Sequence, residues 1–128
     1  MIRYTKEKLE RLKFKFSGVE NISQNFSQAY QDMFVLSMLN GKKGGYYLEI
    51  GAFDGISLSN TYLLEKEFGW DGISIDIDKS AKFSFDQHGR NGKMVVADAL
   101  NLDYSSLLKE NSSPGIIDNL QIDIEPQA

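Results

Sequence analysis

The sequence contains no cysteine, and this absence removes several classes of site. Disulfide frameworks, zinc–thiolate centres and cysteine nucleophiles are all excluded. The single histidine excludes metal sites built from two or more imidazoles. No apolar run approaches the roughly 18 to 20 residues of a membrane-spanning helix, and the charged N-terminus lacks the apolar stretch of a secretory signal peptide. We therefore expect a cytoplasmic protein with no transmembrane segment.

Positive charge is scarce after the first 16 residues. Those residues hold six of the 14 lysines and arginines and two acidic residues, a net of +4, in a chain of net charge −4. The acidic remainder argues against nucleic-acid binding, because phosphate contacts need lysine and arginine. Leu9, Leu12 and Phe16 recur at helical spacing. We expect residues 1–20 to form a basic leader helix or arm that packs on a domain at 21–128; an acidic partner or an anionic membrane surface is the alternative use of its charge.

Beyond residue 20, helical patterns alternate with short apolar runs. Helices are expected at about 27–40, 59–68, 78–89 and 101–108, and strands at about 46–50, 72–77, 94–97 and 120–124. The expected helix N-caps are Ser27, Ser59 or Asn60, Asp78 or Ser80, and Asn101 or Asp103. Strands that alternate with helices favour a parallel sheet covered on both faces. The predicted fold is α/β, a doubly wound, Rossmann-like parallel sheet of about four strands.

Acidic residues stand at or near the ends of all four predicted strands: Glu49, Asp76, Asp98 and Asp123. Ligands of open parallel sheets bind outside the carboxyl ends of the strands. Gly51 would allow a tight turn, and Gly55 would allow a close approach of the backbone to a ligand. Asp76 is placed to accept hydrogen bonds from a ribose diol, and Asp98 from an adenine amino group. Each acid alone is equally well explained as a helix cap, but their order favours a nucleoside-containing ligand.

The loop after the first strand lacks a dinucleotide fingerprint. Phe53 occupies the place of the middle glycine of Gly-x-Gly-x-x-Gly, and the chain contains no P-loop motif. Glu49 and Asp54 would repel a pyrophosphate. They favour a cationic ligand, and S-adenosylmethionine carries an ammonium group, a sulfonium group and no phosphate. A dinucleotide-binding domain that uses Asp76 on the ribose of NAD is the less favoured alternative.

Four sequence blocks closely resemble the FkbM-type S-adenosylmethionine-dependent methyltransferases. The blocks are SQAYQD at 27–32, YLEIGAFDG at 47–55, LSNTYLLEK at 58–66 and GWDGI at 69–73. The resemblance extends from about Ser27 to Pro126. It implies the class I methyltransferase fold, with methylation of a hydroxyl on a sugar or another secondary metabolite. After Asp76 the chain departs from the family, which often has Pro-Asn where Ile77 and Asp78 stand.

The resemblance also implies roles for individual residues. The motif that holds the methionine part of the cofactor corresponds to Glu49, Gly51, Phe53, Asp54 and Gly55. Asp76 matches the ribose-binding acid, and Asp98 with Ala99 matches the position beside the adenine. Asp123 and Glu125 match the acidic end of the fourth strand that faces the transferred methyl group, where a carboxylate can act as general base. Gln28 and Asp32 match a Gln-Asp signature for which a capping or packing role is equally plausible. No metal site is expected, and His88 is expected at a surface or helix end.

Class I methyltransferases usually have seven strands, whereas four are predicted here. The resemblance therefore implies the N-terminal part of that fold. We expect the far edge of the fourth strand to be unpaired and to invite pairing with a second copy or a partner chain, and Ile122 or Ile124 to be exposed. The alternative function is a non-catalytic S-adenosylmethionine-binding remnant or interaction module that lacks the acceptor half.

Overall fold

The computed structural model describes residues 13–27, 30–51 and 59–122. Helices and strands alternate within these residues: α1 (Gln31–Met38), β1 (Tyr46–Ile50), α2 (Tyr62–Phe68), β2 (Asp71–Asp76), α3 (Lys79–Gln87), β3 (Lys93–Val96), α4 (Tyr104–Glu110) and β4 (Asn119–Ile122). Two 3₁₀ turns lie at Val19–Asn21 and Ala99–Asn101. The sequence predicted the order of helices and strands. No helix in the described part of the chain is long and apolar enough to cross a membrane.

The four strands form one parallel sheet in the order β3-β2-β1-β4. Leu48 at the centre of β1 lies beside Ile73 of β2 on one side and Leu120 of β4 on the other. The chain moves outward from β1 to β3 and then crosses back past β1 to reach β4. The strand order therefore reverses between β1 and β4, which is where open parallel sheets form a crevice at their carboxyl ends. The fold is α/β with a Rossmann-like sheet, as the alternation predicts.

The two faces of the sheet bury different side chains because residues alternate along each strand. On one face, Tyr47 packs with α1 and α2 in a cluster that includes the fully buried Trp70. On the opposite face, Leu48 and Ile73 pack with Leu107 of α4. Helices therefore cover both faces of the sheet. Phe16 is buried in the cluster around Tyr47, while the boundary proposed at residue 20 stays a prediction.

Aspartate caps begin two of the helices, as expected. Asp78 precedes α3 and accepts the N–H of Ser80 at 2.9 Å. Asp103 precedes α4 and accepts the N–H of Ser106 at 3.2 Å. Each carboxylate satisfies an N–H that has no partner inside its helix.

The predicted N-cap of α1 is wrong by three positions. Tyr30 occupies that position, in a left-handed backbone conformation with φ 61°. Ser27 still caps the helix from outside, because its Oγ accepts the N–H of Asp32 at 2.9 Å. Asp32 in turn accepts the N–H groups of Phe26 and Ser27 at 2.8 and 3.1 Å. Of the capping and packing roles expected for Asp32, the buried carboxylate has the capping role.

The start of α2 shows the same displacement. Thr61 is the N-cap residue, rather than Ser59 or Asn60, and its own side chain makes no capping bond. The acceptor is the Ser59 hydroxyl, which lies 3.0 Å from the N–H of Tyr62. This arrangement leaves the Thr61 hydroxyl free of the capping task, so it can bond elsewhere.

The β4 strand exposes apolar side chains. Leu120 and Ile122 are 56% and 61% exposed, although they share a sheet face with the buried Leu48 and Ile50 of β1. Within the described residues, β4 pairs with β1 alone. Exposure of Ile122 is confirmed, whereas Ile124 lies outside the described residues. Pairing of this edge with a second copy or a partner chain stays a prediction.

Gly72 of β2 lies opposite Tyr47, where there is no room for a side chain. A Cβ at this position would lie 2.5 Å from the ring and the carbonyl oxygen of Tyr47. Real Cβ atoms do not tolerate such distances, and the strand backbone cannot shift without disturbing the ladder. The missing side chain therefore allows the Tyr47 ring to pack closely over β2.

We expect Gly72→Ala to lower the free energy of unfolding by about 1 to 3 kcal/mol, since the added methyl group overpacks this contact. Urea denaturation followed by circular dichroism measures the change. Gly115→Ala is the matched control, because nothing lies within 4 Å of its Cβ position. The control should change the free energy by less than about 0.5 kcal/mol. Equal losses in the two variants would contradict the close approach of Gly72 and Tyr47.

Candidate functional site

The backbone leaves the extended conformation at Gly51, directly after β1. Gly51 has φ +90°, a conformation that favours glycine. Its N–H donates to the carbonyl oxygen of Ile75 at 2.7 Å, which continues the pairing of β1 with β2 by one bond. Gly51 therefore has the positive φ that a tight turn can use, while the rest of this loop, residues 52–58, lies outside the described residues.

Asp76 is brought to the same edge by the neighbouring strand. It is the last residue of β2, and its carbonyl accepts the N–H of Ala97 at 3.0 Å as β3 ends. Its Oδ1 accepts the N–H of Asp78 at 2.9 Å. The carboxylate is partly exposed. Asp76 therefore lies at the strand end that the ribose assignment requires.

Asp98 and Ala99 follow β3 at the same edge. Asp98 is exposed and caps the 3₁₀ turn, accepting the N–H of Leu100 at 3.0 Å and the Nδ2 group of Asn101 at 2.9 Å. The carbonyl of Ala99 accepts the hydroxyl proton of Tyr104 at 2.6 Å. Asp98 thus has a capping role, and its position after the third strand also agrees with the adenine assignment.

Glu49 has a different environment from these exposed acids. It is the fourth of five residues in β1, and its side chain is 2% exposed. Its Oε1 accepts the hydroxyl protons of Thr61 at 3.0 Å and Ser74 at 2.9 Å. Burial raises the pKa of Glu49 from about 4.5 to about 7, against the opposing influence of Arg90 and the two hydroxyls. Glu49 is therefore an enclosed acid that titrates near neutral pH.

A buried cation that no sequence motif indicated lies in the same interior. The side chain of Arg90 is fully buried between α2, α3 and the sheet. Its Nε lies 2.6 Å from Glu65 Oε2, and its Nη2 lies 2.7 Å from Thr61 Oγ1. The guanidinium also lies 4.4 Å from the ring centroid of Phe85 and 5.4 Å from that of Tyr62. Burial alone would lower the pKa of Arg90, but the hydrogen bond to Glu65 and the nearby charges raise it, so the group stays cationic.

Glu65 is the main acceptor in this network. Besides Arg90, it accepts the hydroxyl proton of Tyr47 and the backbone N–H groups of Asn91 and Gly92, both at 3.1 Å. Both carboxylate oxygens are therefore occupied. Burial is the leading cause of the raised pKa of Tyr47, which stays a neutral donor. The network joins β1, α2 and the loop between α3 and β3.

Other predicted residues lie away from this network or outside the described part of the chain. Five of the predicted site residues lie outside the described part of the chain: Phe53, Asp54, Gly55, Asp123 and Glu125. Their roles in holding the cofactor and in catalysis stay predictions. His88 is exposed just after α3, with its Nδ1 2.8 Å from the carbonyl oxygen of Ser84, which agrees with a helix-end position.

Comparison with known proteins adds no family assignment. No protein-family model matches the chain, and no curated protein matches it. Membership of the FkbM-type methyltransferases therefore stays a prediction from the four sequence blocks.

We expect Glu49→Gln to flatten the pH dependence of stability. A carboxyl with a pKa of about 7 when folded and about 4.5 when unfolded stabilises the fold at low pH, and this contribution is lost as the pH rises through 7. The loss reaches about 3 kcal/mol for one such group, and the glutamine variant avoids it. Free energies of unfolding in urea at pH 5 and pH 8 measure the difference.

The control for this experiment is Glu67→Gln, which changes an exposed glutamate of α2. Other acids titrate equally in all three proteins, so the wild type and this control should show the same pH dependence. If Glu49→Gln also follows the wild type, Glu49 does not titrate near neutral pH in the folded protein.

Proposed function

We propose that this chain is an S-adenosylmethionine-dependent methyltransferase domain that methylates a hydroxyl oxygen on a sugar or another secondary metabolite. The observation that carries the proposal is the sequence of acids at one edge of the sheet. Glu49, Asp76 and Asp98 lie at or next to the carboxyl ends of three adjacent parallel strands. This is the edge at which Rossmann-like sheets bind nucleoside ligands.

The charge of this edge supports S-adenosylmethionine over a dinucleotide. The acids would repel a pyrophosphate and attract a ligand with ammonium and sulfonium groups. Gly51 has a φ of +90°, which glycine adopts readily, and the sequence after β1 lacks the three-glycine fingerprint of dinucleotide sites. The resemblance of the four sequence blocks supports the same ligand.

In this proposal, each of the described residues contacts a different part of the ligand. Asp76 would accept hydrogen bonds from the ribose hydroxyls, because a carboxylate has acceptors on two oxygens. Asp98 and Ala99 would lie beside the adenine. Gly51 would lie beside the methionine part, and the ionised form of Glu49 would contribute negative charge from the interior.

When bound, S-adenosylmethionine supplies an electrophilic methyl group. The protein's own residues have two further tasks, to position the acceptor hydroxyl in line with that group and to take up the hydroxyl proton. The resemblance assigns the second task to Asp123 or Glu125. The first measurement of catalysis would therefore follow methyl transfer in Asp123→Asn and Glu125→Gln side by side.

We expect the purified chain to bind S-adenosylhomocysteine in a calorimetric titration, with a dissociation constant near 1 μM or about −8 kcal/mol, and not to bind NAD. Asp76→Asn should weaken binding about tenfold or more, because the amide keeps one acceptor oxygen for the Asp78 N–H but replaces the other oxygen by a donor. Asp86→Asn is the matched control, because Asp86 is an exposed acid of α3.

Three outcomes of this titration have different meanings. Binding of NAD without S-adenosylhomocysteine would contradict the proposal and favour the dinucleotide alternative. Unchanged affinity in Asp76→Asn would remove Asp76 from the ribose site. Tight binding of S-adenosylhomocysteine without methyl transfer to hydroxyl acceptors would identify a non-catalytic binding module.

A further inference from the structure

Hydrogen bonds of fixed direction connect Arg90 to Glu49. A guanidinium has donors and no acceptor, so the 2.7 Å contact between Arg90 Nη2 and Thr61 Oγ1 has arginine as its donor. The hydroxyl of Thr61 then has one proton to donate, and Glu49 Oε1 lies 3.0 Å away to accept it. The order is therefore cation, hydroxyl, carboxylate. Thr61 makes this bond because Ser59 caps α2 in its place.

The guanidinium is fixed in place on several sides. Two of its nitrogens contact the Glu65 carboxylate, at 2.6 and 3.1 Å, and the rings of Phe85 and Tyr62 lie against it. The fork of Arg90 reaches Glu65 and Thr61 simultaneously. A lysine ammonium is a single point of charge and does not reproduce this geometry.

We propose that Arg90 is a positioning residue for the ligand-binding edge, acting through Thr61 to orient the Glu49 carboxyl and to favour its ionised form. This inference rests on the proposed function, because an ionised Glu49 attracts the positive charge of S-adenosylmethionine and a neutral one does not. Arg90 itself contacts Glu65 and Thr61, so its effect on the ligand is indirect.

The groups that face Glu49 show that this cation is the main influence opposing the effect of burial on its pKa. Ser74 of β2 donates a neutral hydrogen bond to Oε1 at 2.9 Å. Glu65 of α2 is a like charge that opposes ionisation, as burial does, while Arg90 is the largest influence favouring it. Tyr47 of β1 stays neutral. Weakening the connection to Arg90 therefore moves Glu49 toward its protonated form.

The direct test is a carbon-13 NMR titration of protein labelled at the glutamate carboxyl carbon. The Glu49 resonance is identified by its absence in Glu49→Gln. Thr61→Val removes the connecting hydroxyl at similar shape and should raise the Glu49 pKa by about one unit. Thr61→Ser restores a hydroxyl and should return the pKa to the wild-type value, a rescue that a purely structural role for Thr61 does not predict.

A second variant tests the arginine itself. Arg90→Lys keeps the positive charge but loses the fork, so it should also raise the Glu49 pKa. Lys82→Gln is the matched control, since Lys82 is an exposed cation of α3 that pairs with Asp86. The control should leave the Glu49 titration unchanged. If Thr61→Val does not fold, the comparison of Arg90→Lys with this control decides the question.

Ligand binding provides the second readout. At pH 7, a rise of one unit in the Glu49 pKa should weaken S-adenosylhomocysteine binding about fivefold in Thr61→Val, because the ionised fraction falls by that factor. Thr61→Ser should bind like the wild type. A folded Thr61→Val with an unchanged Glu49 pKa overturns the inference. If the wild type binds no S-adenosylhomocysteine, the proposed function is wrong, and the NMR titration alone decides whether Arg90 positions Glu49.

Discussion

A buried ion pair between Arg90 and Glu65 holds the helical layer to the sheet. Removing two charges from water costs several kcal/mol for each ion, and attraction offsets this only when the geometry is good and the remaining donors and acceptors are used. Here both oxygens of Glu65 are used, by Arg90, by Tyr47 of β1 and by two backbone N–H groups. Removing either partner would leave an uncompensated charge in the interior.

One acid of the carboxyl edge, Glu49, is connected to this pair. Thr61 lies at the start of α2, one helical turn before Glu65, and joins the guanidinium to the acid of β1. The more exposed acids Asp76 and Asp98 are positioned by the ends of β2 and β3 and by local hydrogen bonds to the residues that follow them. The chemistry of the candidate site therefore has two sources: strand order places Asp76 and Asp98, and interior electrostatics govern Glu49.

The parts of the structure that local patterns determine were predictable from the sequence. A nearly continuous apolar run predicted β1 as a strand buried on both faces, and Gly69 predicted the end of α2, where its φ of +67° is observed. Asp76 and Asp98 were placed correctly because strand ends follow from the same patterns. The predicted capping serines, Ser27 and Ser59, do supply the acceptors, but each lies before the N-cap position, which Tyr30 and Thr61 occupy.

Arg90 could not be found in this way, because its partner lies 25 residues away and its loop has no periodic pattern. The one sequence feature that indicated a buried cation was Glu65. It shares helical spacing with Tyr62 and Phe68 and therefore lies on the apolar side of α2. A carboxylate in that position needs a buried cation, but spacing does not say which one. The burial of Glu49 was missed for a related reason, since sequence spacing does not show which side chains will enclose a residue near a strand end.

The loop between α3 and β3 tolerates less change in length than most surface loops. Loops generally tolerate insertions and deletions well. Here Asn91 and Gly92 direct their amides at Glu65, and a Cβ on Gly92 would lie 2.1 Å from the Tyr47 hydroxyl oxygen. The length of this loop is therefore as constrained as that of a core strand. Natural variation in length, and sites suited to circular permutation or tag insertion, should avoid it in favour of the exposed turn at residues 112–115.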